Sequence, residues 1–259
     1  LLWLQAKFCE LCLHKCQIDR TTTSRGKCRL DLSSLIGFGR IEEEWIPEIS
    51  PCYALYFPGC NFQCLFCNTW EISFYPERGK SLSIPEVVAE IGEAFDRGAR
   101  SIKFTGGEPL LHLHSILDIL KFLEVNIAVV AHTNFFIPES LFPILTGIFD
   151  LLIVDVKFGS DECARSLAGI SPYSEWLWKH IRNYPADLYL RHISLPGHLH
   201  CCTIPILKEI SRLPFHPPFQ VLMNYAPEYQ GKHHSPLNRA LMEEEKQQVR
   251  EAIKSILGG

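Results

Sequence analysis

Between residues 53 and 258, short apolar runs alternate with helical patterns, and few folds accommodate that alternation. Strand-like runs occupy Tyr53–Phe57, Ser101–Phe104, Ile127–Val130, Leu151–Val154, Leu188–Ile193 and Phe219–Leu222. The clearest helical stretch opens at Ser83, where the serine suits an N-cap, Pro85 fits the first turn and Glu86 completes a capping box. Further helices are expected to start near Leu113, Pro138, Tyr173, Ile204 and Met242. Strands separated by helices run parallel and are joined by right-handed crossovers, which leaves an open doubly wound sheet or a full or partial barrel. In either architecture the loops that carry chemistry lie at the C-terminal ends of the strands.

Residues 1–50 do not share this pattern. They have poor periodicity, a polar turn from Thr21 to Gly26 and four cysteines, so the boundary is placed near Pro51: a cysteine-rich metal-binding extension over 1–50 and the main domain over 51–259. Charge divides at a nearby point. The chain carries 25 Lys and Arg against 29 Asp and Glu, net −4, which argues against a nucleic-acid-coating protein. Residues 1–30 hold Lys7, Lys15, Arg20, Arg25, Lys27 and Arg29 against Glu10 and Asp19, so they are locally +4 and the remainder is −8. Metal-bound thiolates are the anionic partners expected for those cations, rather than nucleic acid.

Cysteine usage is high and odd at 11. A chain of this length buries enough surface to fold without a disulfide framework, so clustered thiols point to metal ligation in a reducing, cytoplasmic setting. The longest apolar candidate, Leu141 to Phe158, is broken by Pro143, Gly147, Asp150 and Asp155, and no membrane span is expected. The opening Leu1–Leu4 has no basic flank or small-residue cleavage site and is not expected to be a signal peptide.

Three thiols follow the first strand: Cys60, Cys64 and Cys67. Structural zinc ordinarily takes four protein ligands, whereas an iron–sulfur cubane held by three leaves one iron with an open position. After the second strand comes Gly106-Gly107-Glu108-Pro109, in which glycines let backbone approach a ligand and the glutamate offers an acceptor for an ammonium group. The N-terminal thiols Cys9, Cys12, Cys16 and Cys28 suit either tetrahedral zinc or a second 4Fe-4S cluster. His198-x-His200-Cys201-Cys202 has metal-ligand composition, set against a polar loop holding two thiols. His112-x-His114 and His233-His234 read as exposed loop histidines, and Cys52 and Cys163 as small core hydrophobes.

With the cysteine triplet after one strand and the Gly-Gly-Glu-Pro segment after the next, the chain resembles the radical S-adenosylmethionine (SAM) superfamily over nearly its whole length. Within it the likeness is to pyruvate formate-lyase-activating-enzyme-like proteins, in a branch with an extra N-terminal cysteine motif; Cys9–Cys12, Asn61–Cys67, Asp161–Ala164, Arg191–His198 and Cys201–Thr203 carry that narrower likeness. The resemblance implies an α/β fold: a partial (β/α)6 TIM-like barrel with a small N-terminal cysteine-rich extension. It implies a 4Fe-4S cluster on Cys60, Cys64 and Cys67, whose open iron chelates SAM. An electron donor such as flavodoxin or ferredoxin is implied, as is a 5′-deoxyadenosyl radical that abstracts hydrogen from a small-molecule or protein substrate. Residue by residue, it puts Phe66 and Asn68 at the adenine and Gly106, Gly107 and Glu108 at the methionyl ammonium. Thr133, Asn134, Asp155 and Lys157 fall at the ribose and carboxylate, and Arg191 is a further counter-charge. Cys201 and Cys202 face the radical as hydrogen donors or substrate contacts, and with Arg191 are the expected catalytic residues.

Two departures bear on function. The activating enzymes carry Asp-Thr-Asn-Gly where this chain reads His132-Thr133-Asn134-Phe135, and a histidine-bearing segment where it reads Met223–Pro227. The reading is therefore a radical SAM oxidoreductase of unidentified substrate. A glycyl-radical activase and a non-catalytic zinc or iron–sulfur module are the alternatives.

Overall fold

The computed structural model describes residues 6–33, 35–81, 83–123 and 127–258; Leu1–Leu4 lies outside them. Among the described residues the strands are β1 (Leu35–Ile36), β2 (Phe38–Glu42), β3 (Cys52–Phe57), β4 (Lys80–Ser81), β5 (Ser101–Gly106), β6 (Ala128–Thr133), β7 (Leu151–Asp155), β8 (Leu188–Ile193) and β9 (Phe219–Leu222). Seven of these hydrogen-bond in the order β2-β3-β5-β6-β7-β8-β9, which makes the fold α/β with a mostly parallel sheet, as expected. All six strand-like runs of the sequence are strands. Backbone contacts divide the chain into two compact units, one of residues 1–61 and 69–152, the other of residues 62–68 and 153–259.

In the first unit β3, β5 and β6 are parallel, with Cys52 opposite Ser101 and Ser101 opposite Ala128. Every residue of β3 is buried, as a continuous apolar run predicts for a strand covered on both faces. The helices here are α1 (Trp70–Ser73), α2 (Ile84–Asp96), α3 (Leu113–Lys121) and α4 (Phe142–Thr146). The capping box of α2 forms as expected: Ser83 Oγ accepts from Glu86 N at 3.4 Å, and Ser83 N donates to the Glu86 carboxylate at 2.9 Å. Strand β2 was not anticipated. It pairs antiparallel with β3, Phe38 opposite Tyr56 and Glu42 opposite Cys52. Its Gly-Arg-Ile-Glu sequence and mixed exposure hide it from an apolar-run criterion.

In the second unit β8 and β9 are parallel, Leu190 opposite Phe219. The helices are α5 (Asp161–Ala168), α6 (Ser174–Asn183), α7 (Ile204–Ile210) and α8 (Glu243–Leu257). The sequence reading missed α5, although Ser160 caps it by accepting from Cys163 N at 3.2 Å and Gly169 ends it at φ +68°. Among the described residues no helix is long and apolar enough to cross a membrane.

Candidate functional site

The three-cysteine segment leaves β3 through Pro58 and Gly59. Gly106 and Gly107 lie against that departure. Gly106 has φ +110°, Gly107 N donates to Phe57 O at 2.8 Å, and a Cβ on either glycine would collide with the backbone of Phe57 or Gly59. The glycines anticipated for close approach thus admit the chain itself as well as any ligand.

Glu108 is fully enclosed. Its Oε1 accepts from Thr133 Oγ1 at 2.7 Å and Leu110 N at 3.1 Å, and its Oε2 accepts from Asn134 N at 2.8 Å. One carboxylate therefore gathers the ends of β5 and β6. Phe135, where the activating enzymes have glycine, holds φ +60°, a conformation unfavourable to a residue with a Cβ. It is held there by Phe135 N donating to Thr133 Oγ1 at 2.9 Å and by its ring stacking on Phe142 at 5.6 Å.

Asn61 is the junction the sequence did not announce. Its Oδ1 accepts from Asn134 Nδ2 at 2.7 Å and its Nδ2 donates to Phe136 O at 3.3 Å. The Cys60 thiol lies 3.9 Å from the same Oδ1 and 3.8 Å from Asn134 Nδ2. From the N-terminal segment, His14 Nε2 contacts Asn61 O at 2.8 Å and the Cys12 thiol hydrogen-bonds the Asn61 side chain. Cys12 and His14 thus both meet Asn61, the residue after Cys60, within one unit. Burial pushes the Cys12 thiol up to about 12 and raises that of Cys28, the latter against the charge of Arg20. Cys28 lies within electrostatic reach of Cys9 and Cys16, and Cys12 within reach of Cys28 and Cys16. Cys9, Cys12 and Cys28 are buried and Cys16 is half-buried.

Arg20, expected beside thiolates, is itself buried and spends its guanidinium on carbonyls, donating to Leu30 O at 3.3 Å, Leu111 O at 3.2 Å and Asp31 O at 2.9 Å. His112, expected to be exposed, is enclosed, its Nε2 at 2.8 Å from Pro58 O and its ring stacked on Phe57. Burial, with Arg20 adding to it, pushes His112 down to about 3 and lowers His114. Both sit on the turn that Arg20 covers, which is why the loop reading fails for them. His233 and His234 are exposed, as expected.

In the second unit the cysteine segment is pinned by Gln63 N and Leu65 N, which donate to Ala168 O at 3.1 Å and Leu167 O at 2.8 Å, and by Gly231 N donating to Leu65 O at 2.6 Å. Cys64 is buried and Cys67 half-buried. Burial pushes the Cys64 thiol up to about 12, against the pull of Lys157. Lys157 pairs with Asp155 at 2.5 Å; burial works against its charge, but Asp155 and Cys64 outweigh that and hold the ammonium above its ordinary range. A thiol enclosed next to a fixed cation fits a metal-bound thiolate. Phe66 packs edge-on to Phe158 at 6.0 Å, and Asn68 is exposed.

Arg191 lies within β8, mostly buried, its Nε donating to Gln220 Oε1 at 3.1 Å. Its neighbour His192, part of the Arg191–His198 segment that carries the family likeness, bridges Val156 O at 2.8 Å and Thr203 Oγ1 at 3.0 Å. Burial pushes it down to about 4, so it serves as a neutral strut. Cys202 is fully enclosed and Cys201 half-buried. Among the described residues, one group of four Cys and His side chains has all its donor atoms within 4.8 Å of one another: Cys163, His198, Cys201 and Cys202. Cys163 is buried in the core, as expected for a small hydrophobe, and its thiol also joins that group.

The sequence profile of the Radical SAM superfamily matches residues 55–194. An uncharacterised protein of Methanocaldococcus jannaschii is 32% identical over 246 residues, covering 92% of this chain and 72% of the relative. A pyruvate formate-lyase-activating enzyme of Clostridium pasteurianum is 27% identical over 151 residues, 55% of this chain and 61% of that enzyme. In fold, the chain is similar to Streptococcus suis SuiB bound to its precursor peptide SuiA, with TM-score 0.56 and 17% identity, over 78% of this chain and 46% of SuiB.

Proposed function

Because the chain belongs to the radical SAM superfamily, we propose that it is an oxidoreductase in which Cys60, Cys64 and Cys67 hold a 4Fe-4S cluster and the loops after the strands hold SAM. Membership implies both cofactors; their placement on these residues is the proposal. Bound there, the cluster would supply the electron for reductive cleavage of SAM, and so the means to abstract hydrogen from a substrate carbon. The observation that carries the proposal is Cys64: an enclosed thiol on a segment pinned by backbone hydrogen bonds, beside the Lys157 ammonium.

The chain's own residues divide the work. Phe66 and Asn68 line the adenine. Gly106 and Gly107 bring backbone to the methionyl ammonium, and Glu108 sets its negative charge behind them while holding Thr133 and Asn134 in place. Thr133, Asn134 and Asp155 serve the ribose, and Lys157 supplies a point charge for the carboxylate, with Arg191 as a second cation. Cys9, Cys12, Cys16 and Cys28 hold an auxiliary iron–sulfur cluster or zinc, and a reductant such as flavodoxin or ferredoxin delivers the electron.

Similarity to the Clostridium enzyme favours an activase as the second reading. The Met223–Pro227 segment, which lacks the histidine of the activating enzymes, favours a substrate other than their glycine loop. One anaerobic experiment addresses both. After reconstitution with iron and sulfide, the expected 4Fe-4S spectrum shifts on addition of SAM, and co-incubated glycyl-radical enzyme stays free of the glycyl paramagnetic doublet. An iron-free or SAM-insensitive protein defeats the proposal, and a strong doublet promotes the activase.

A further inference from the structure

We propose that Cys163, His198, Cys201 and Cys202 form a tetrahedral zinc site, separate from the three-cysteine segment and from the N-terminal cysteines. The four donor atoms all lie within 4.8 Å of one another. His198 Nδ1 stands 3.7 Å from Cys163 Sγ and 3.2 Å from Cys201 Sγ. Bond lengths of about 2.3 Å to sulfur and about 2.0 Å to nitrogen place neighbouring ligands of one tetrahedral zinc roughly 3.5–3.8 Å apart. The observed spacing closes onto a single ion with small side-chain shifts, and it is too tight for a cubane cluster, whose thiolates bind four separate irons. Three thiols and an imidazole are a donor set of structural zinc, with no position left open.

The site is built rather than fortuitous. Cys163 comes from the first turn of α5, fixed by the Ser160 cap. His198 follows Gly197, whose amide donates to Glu245 Oε1 at 2.9 Å, at the start of α8. Cys201 and Cys202 lie in a single wide turn, Leu199–Thr203, of the π type that recurs at functional sites; in it Cys202 N donates to His198 O at 2.9 Å. Gly159 lies so close to this turn that a Cβ there would strike the backbone of Cys202. Core packing needs none of this: a lone cysteine fills space as a small hydrophobe, but it does not require three other donors aimed at the same point.

On binding zinc the three thiols release three protons to solvent, their sulfurs become ligands alongside the neutral imidazole, and no electron moves. Ligated in this way, Cys201 and Cys202 cannot donate hydrogen to a radical, so the zinc site takes the place of the catalytic role expected for them. It joins α5 to the loop after β8.

The test uses the full chain, zinc chloride as the probe, and iodoacetamide labelling mapped by peptide mass, which separates these thiols from the other eight cysteines without mutating any. Stoichiometric zinc is expected to slow labelling of half-buried Cys201 on the order of tenfold, with a chelator restoring it. His198→Ala, which removes one ligand from a half-buried position, is expected to abolish that protection while the thermal unfolding transition stays cooperative. Labelling of Cys201 at one rate with and without zinc would overturn the site, as would unchanged zinc protection in His198→Ala or a disulfide between any two of the three thiols.

Discussion

Asn61 shows how much one side chain can organise at the residue scale. While buried, it joins Asn134, Phe136, Cys60 and Cys12 through its side chain and His14 through its backbone carbonyl, so deleting its amide removes the acceptor of Asn134 Nδ2 and the donor to Phe136 O at once. An unsatisfied buried polar group costs about 1–3 kcal/mol. Asn61→Leu is therefore expected to lower unfolding stability by about that amount, measured by urea titration, and an unchanged midpoint would refute the junction. In the sequence Asn61 opened the Asn61–Cys67 segment that carries the family likeness, but nothing marked it as a junction. Its partners lie 47, 73 and 75 residues away, and nothing in a linear pattern joins them. Glu108 is the opposite case: Gly-Gly-Glu-Pro marked it as an acceptor, and it is one, with three donors of the chain's own.

At the scale of elements, strand β2 brings an unanticipated charge cluster to the sheet. Lys103 of β5 is nearly fully enclosed and pairs with Glu42 at 2.9 Å and Glu44 at 3.0 Å; Glu42 also meets Arg40 and the Tyr56 hydroxyl. Burial works against the Glu42 carboxylate, yet Tyr56, Lys103 and Arg40 together hold it below its ordinary range. A depressed carboxylate stabilises the fold above its unfolded value of about 4.3, and that contribution disappears as pH falls through the folded value. Lys103→Met leaves two glutamates with a lost partner and is expected to cost about 3–5 kcal/mol at neutral pH. It should also flatten the acid limb of a stability–pH curve below about pH 4, because Glu42 no longer gains from the ammonium. Equal acid limbs in variant and parent would mean that the ion pair does not set the carboxylate. The six anticipated strands were legible because each run is rich in apolar and β-favouring residues between turn signals, despite Lys103, Arg191, His192 and Gln220. Strand β2 was not, since an edge strand with one polar face reads like a loop, and short, polar α5 was overlooked despite its serine cap and terminal glycine.

For the whole molecule, the loops that follow β3, β5, β6, β7 and β8 carry the residues that the three-cysteine and Gly-Gly-Glu-Pro motifs led the sequence to single out. That part of the candidate site was legible because a ligand loop must be contiguous, and contiguity survives in a string of letters. The group of Cys163, His198, Cys201 and Cys202 was only half visible: its C-terminal three residues are close in sequence, but Cys163 arrives from a separate helix 35 residues before His198. We propose that Cys60, Cys64 and Cys67 hold the cluster at which SAM is cleaved. The most direct measurement is 5′-deoxyadenosine released after dithionite reduction of reconstituted protein with SAM, compared between the parent and Cys64→Ala. The loop position of Cys64 leaves the sheet core intact, so product is expected from the parent and none above background from a still-folded variant; equal product from both would show that Cys64 does not hold the cluster.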